Sequence, residues 1–95
     1  MKELGFENYL LADEKIISKS KTVRSRISKA RMIERHFNEP LDSIVDDDKT
    51  YTALLRIKAE MKDTNGTISN ALRKYYIFIN GIKFPALSEY EEGVR

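Results

Sequence analysis

Residues Lys19 to Phe37 read KSKTVRSRISKARMIERHF. Val23, Ile27, Ala30, Ile33 and Phe37 recur three and four apart, the spacing that lines apolar side chains along one face of a helix. Lys21, Arg24, Ser28, Arg31 and Arg35 recur at the same spacing along another side. Asn38-Glu39-Pro40 stops the pattern, because the residue before a proline disfavours helical backbone. The stretch therefore predicts one long amphipathic helix that buries one face and offers a row of cations on another. Cations in a row, with a serine among them, suit the phosphates of a nucleic-acid backbone. A plain solvated helix face has the same composition, so the row alone does not decide between the two.

Working outward, helical patterns dominate. A short first helix is expected over about Leu4 to Ala12, with Phe6, Tyr9 and Leu10 inward. Asp13 to Ser20 reads as a connection in which Ile16 and Ile17 pack and Ser18 or Ser20 caps the long helix. Leu41 to Val45 fits one helical turn with Leu41, Ile44 and Val45 inward. Lys49 to Lys62 follows as a helix with Tyr51, Leu54, Leu55, Met61 and the stem of Lys58 inward. Asp63-Thr64-Asn65-Gly66 is a break, since Asn-Gly favours positive φ. Thr67 is placed to cap a last long helix, about Ile68 to Ile79, with Ile68, Leu72, Tyr75 and Ile79 inward and Tyr76 outward. The run YYIFI is β-prone in isolation, but it continues SNALRK without a break and is read as helix, stopped by Gly81. The expectation is an all-α bundle of four to five helices over residues 1–82. Residues 83–95 are read as a tail or linker, with Phe84, Pro85 and Leu87 latching onto the core and a loose end.

Composition narrows the function classes. The chain has 95 residues, 41% hydrophobic and 34% charged, which bounds it to one small globular domain. The formal net charge is only +2, so arrangement matters more than sum. Lys19, Lys21, Arg24, Arg26, Lys29, Arg31 and Arg35 face a single acid, Glu34, between residues 19 and 36, while acids gather at Asp46 to Asp48 and Glu89 to Glu92. Such polarity makes a local positive field on a nearly neutral chain. With no cysteine, disulfides and thiolate chemistry are excluded. No apolar run reaches the roughly 20 residues of a membrane span, and acids interrupt the apolar N-terminal stretch, unlike a secretory signal. A cytoplasmic protein is expected.

Few residue groups suggest chemistry. The helix opening at Thr67 places Thr67, Asn70 and Lys74 on one side, with Ser69 and Arg73 beside them. Short polar residues at a helix start bond phosphates or base edges, and they equally serve as ordinary caps. The triple aspartate is explained by a helix start and lacks the glycine and later glutamate of a calcium loop. His36, the only histidine, sits near a helix end, where the dipole favours a cation. No Walker, Rossmann or HExxH pattern occurs. No catalytic group, cofactor or metal site is expected.

Three stretches together carry a resemblance: FENYL (6–10), SKTVRSRISKARMIERHF (20–37) and NALRKYYIFING (70–81). They look like the N-terminal, SAM-like core-binding domain of phage integrases, the tyrosine recombinases. The resemblance covers about Phe6 to Gly81, and similar modules occur in other mobile-element and restriction-modification proteins. It implies a helical domain that clasps duplex DNA in site-specific recombination. The helices matching Lys21–Arg35 and Thr67–Lys74 would face the groove. Carried over by position, the DNA-binding residues are Lys21, Thr22, Arg24, Ser25 and Ser28 in the first helix and Thr67, Asn70, Arg73 and Lys74 in the second. The cation row adds Arg31 and Arg35. The chain lacks a second set of arginines with a histidine and a nucleophilic tyrosine, so it is not expected to cut or join DNA itself. The rival expectation is a small phage or mobile-element protein that binds another protein through an apolar patch of Tyr76, Phe84 and Leu87.

Overall fold

In the computed structural model, which describes residues 1–13, 19–63 and 65–94, the long helix spans Lys19–Phe37 (α2) as its apolar spacing predicts. The other helices are α1 (Glu3–Leu11), α3 (Leu41–Ile44), α4 (Asp47–Glu60), α5 (Thr67–Asn80) and α6 (Leu87–Val94), and no strand occurs among the described residues. The protein is all-α. Its radius of gyration is 12.9 Å, close to the about 12 Å that chain length alone predicts for one domain. No helix among the described residues is long and apolar enough to cross a membrane.

The apolar face of α2 is buried through Val23, Ile27, Ala30 and Ile33. Phe6 and Leu10 of α1, Leu41 and Ile44 of α3, Ala53, Leu54 and Ile57 of α4, and Ile68, Ala71, Leu72, Tyr75 and Tyr76 of α5 complete one core. The central helix is α5, which packs on α1, α2, α3 and α4. Tyr75 is fully buried, and its hydroxyl is satisfied twice. It accepts from the Lys2 amide at 2.8 Å and donates to Asp42 at 2.5 Å. Burial and that carboxylate push its pKa well up. Thr50, the one buried polar residue of the described set, donates to the Ile44 and Asp46 carbonyls, so it stitches α4 to the turn before it.

Several sequence expectations are corrected. Leu55, Lys58 and Ile79 face outward rather than in, whereas Ala53 and Ile57 take the inner positions. Tyr76, expected to be exposed, is 4% exposed and packs edge-on against Phe84 at 5.1 Å. Ser20 lies inside α2 rather than capping it; the expected packing of Ile16 and Ile17 and the Ser18 cap fall outside the described residues. The stretch read as a tail contains a helix, α6, over Leu87–Val94. Tyr90 of α6 stacks on Tyr51 and lies against Phe84, its hydroxyl bonds Asp48, and Tyr51 in turn bonds Glu91.

The α4–α5 connection governs the site below. Gly66 holds φ +74° at the break, and Gly81 holds φ +77° where α5 stops, a left-handed region open to glycine at little cost. Thr67 does not cap α5. Asp63 does: its carboxylate accepts from the amides of Ile68 at 2.9 Å and Ser69 at 3.0 Å, and from the Ser69 hydroxyl at 2.5 Å. Burial works to raise the Asp63 pKa, but these bonds outweigh it and hold the carboxyl below its ordinary value.

Candidate nucleic-acid interface

The solvent side of α2 is divided by its neighbours. Thr22, Ser25, Arg26 and Lys29, spaced three and four apart, flank the apolar face on the edge toward α5. With Lys21 on α2, and Thr67 and Asn70 on α5, they line a groove of about 260 Å³ between α2 and the start of α5. Five of the residues singled out in the sequence, Lys21, Thr22, Ser25, Thr67 and Asn70, therefore meet in one place. Arg26 and Lys29, counted among the cations of this stretch but not among its candidate DNA contacts, line the same groove. Their signal was present, since both follow Thr22 and Ser25 at helical spacing.

Arg26 is the fixed point of this groove. In the amide orientation that satisfies both groups, Asn70 Oδ1 accepts from Arg26 Nη1 at 2.5 Å and from Nη2 at 3.1 Å. Arg26 Nε is buried without a partner among the described residues. Neither Lys21, Arg26 nor Lys29 forms an ion pair among the described residues. Lys29 does help keep Asp63 ionised, as a nearby positive charge. Among the described residues, no acid lines the groove itself.

The opposite edge of α2 is different. Arg24, Ser28 and Arg31 line a larger groove, about 630 Å³, whose far wall is α1 with Glu3 and Glu7. Arg31 reaches across to Glu3 in a fork, Nε to Oε1 at 2.8 Å and Nη2 to Oε2 at 2.5 Å. That pairing lowers the Glu3 pKa and raises that of Arg31. Arg31 is thus not an uncommitted phosphate contact in the free protein, although it is exposed. Arg24, Ser28 and Arg35 remain exposed.

The two cations of α5 belong to the fold. Arg73 Nη1 donates to the carbonyls of Phe84 at 3.0 Å and Pro85 at 3.2 Å, and burial pushes its pKa down. It therefore fixes the turn that leads into α6. Lys74 Nζ bonds Asp13 at 3.0 Å with both side chains mostly covered, which ties α5 to the end of α1. Neither is placed beside Thr67 in the groove with α2. The expectation of a cation pair continuing the polar start of α5 is corrected accordingly.

His36 has a structural setting. Its Nε2 lies 2.8 Å from Glu60, which also takes a fork from Arg56. Arg56 first, and then His36, lower the Glu60 pKa to about 2. Arg56 also lies 4.6 Å over the Phe37 ring. The apolar patch of Tyr76, Phe84 and Leu87 expected for a protein partner is not a surface, because Tyr76 and Phe84 are each 4% exposed and Leu87 packs against the same core.

Comparison with protein-family models, with curated proteins and with solved structures finds no match to this chain.

Proposed function

We propose that this protein is a non-catalytic DNA-binding module that contacts duplex DNA with α2 and the start of α5. The observation that carries the reading is the α2–α5 groove. Among the described residues, three cations in no ion pair, three hydroxyls and a side-chain amide line it, and no acid does. That is the donor-rich composition that neutralises and hydrogen-bonds backbone phosphates. The exposed Arg24 and Arg35 extend the positive edge along α2. The resemblance of residues 6–81 to integrase core-binding domains agrees with this, because it implies the same two helices as the DNA-facing pair. On this reading the module belongs to a recombination or mobile-element system, whose chemistry is supplied by other residues than these.

Binding is electrostatic in the main. Contact with about three phosphates, one in the groove and one each at Arg24 and Arg35, gives a slope of log K against log salt near −2.7. The test is a titration with random-sequence duplex DNA over a salt series, on wild type and on Lys21→Gln/Lys29→Gln. The double variant is expected to bind several-fold more weakly at low salt and to flatten the slope by about 1. An unchanged affinity in that variant would remove the groove from the interface.

A further inference from the structure

We propose that the α2–α5 groove is a pocket for a single phosphate-type oxyanion and that, given the DNA-binding reading above on which this step rests, it seats one backbone phosphate as the anchor that sets register. The start of α5 does not carry this assignment. Its Ile68 and Ser69 amides are already taken by Asp63, so they have no bond to offer a ligand. The side chains carry it. Arg26 is held by Asn70, which bonds both terminal nitrogens and fixes the guanidinium plane. An arginine so held keeps its charge while losing little freedom when an oxyanion arrives, which distinguishes it from a loose surface lysine. Its Nε is buried with no partner among the described residues, so an oxyanion in the groove meets the terminal nitrogens.

Around that fixed charge the donors are of the kind a tetrahedral oxyanion needs. Lys21 and Lys29 supply compact charges and Thr22 and Ser25 supply hydroxyls, while the Thr67 hydroxyl across the groove donates to Asn65 at 3.4 Å and must turn to serve a ligand. The volume of about 260 Å³ is small. One phosphate group with its waters fits within it, with the rest of a strand left outside the open side. The chemistry is shared by a strand phosphate and by free phosphate, and the two are separable.

The experiment is a pair of titrations on the full chain, followed by amide NMR at constant ionic strength. One uses inorganic phosphate balanced with sodium chloride, and the other uses duplex DNA. Inorganic phosphate is expected to give saturable shifts confined to residues 21–29 and 67–70. Arg26→Gln is expected to weaken phosphate at least fivefold, and Lys21→Gln/Ser25→Ala, at two exposed positions, provides a second variant that leaves the core untouched. Both variants should weaken DNA by a matching factor. Shifts that fail to saturate, or that chloride alone reproduces, overturn the pocket. Variants that lose phosphate yet keep full DNA affinity overturn its role as an anchor for the strand. Saturable phosphate binding by a wild-type protein with no affinity for DNA supports the pocket and refutes the DNA-binding function.

Discussion

Asp63 shows how one side chain sets the geometry of the site. By capping Ile68 and Ser69 it fixes where α5 begins, and so where Thr67 and Asn70 meet α2. Asp63→Ala is expected to cost about 1 to 2 kcal/mol, as losing a helix cap does, read from the urea midpoint. Its pH dependence has a definite sign. The folded carboxyl sits below its ordinary 3.8, so its contribution is complete at neutral pH and is lost as pH falls through the lowered folded value. In Asp63→Ala the acid limb of the stability curve should be shallower. At the same scale Arg24 and Arg31 part company. Arg24→Gln is expected to weaken DNA several-fold, and Arg31→Gln to change it less than twofold, because Arg31 already holds Glu3. The equivalence of these two residues in the sequence was real in spacing. It dissolved because Glu3, on a different helix and 28 positions away, is invisible to periodicity.

At the scale of elements, what could be read from local pattern was read. The bounds of α2 follow from its unbroken apolar repeat and the Asn38-Glu39-Pro40 stop, and Asn38 indeed turns to φ +55° there. Gly66 and Gly81 bracket α5 as the punctuation suggests. Gly81→Ala is expected to lose about 1 kcal/mol, since nothing crowds the position and only the left-handed backbone resists. The failures share a cause. Helical spacing puts Leu55 and Ile79 inward, yet the neighbours that choose which edge of a helix is covered come from distant sequence. The last helix, α6, was missed because SEYEEGVR is short and polar. It is held by non-local partners, with Phe84 under Tyr76, Tyr90 on Tyr51 and Arg73 on the preceding carbonyls. Phe84→Ala is therefore expected to cost about 3 kcal/mol and to release α6, seen as lost helical signal and lost protection at residues 87–94.

Across the whole molecule, the acids are largely committed to partners. Glu3 on α1 holds Arg31 of α2, and the acids of α4 and α6 bond tyrosines on each other's helix, Asp48 with Tyr90 and Glu91 with Tyr51. A chain of net charge +2 can in this way present a locally positive face. The α2–α5 groove sits on that face, lined by Lys21, Arg26 and Lys29, none of which forms an ion pair among the described residues. The most direct test of the account is the salt-series titration of wild-type protein with random-sequence duplex DNA. The account requires binding at low salt that falls with a slope near −2.7, about three phosphate contacts. Absence of binding at the lowest salt, or binding indifferent to salt, would contradict it and leave the groove a solvated surface.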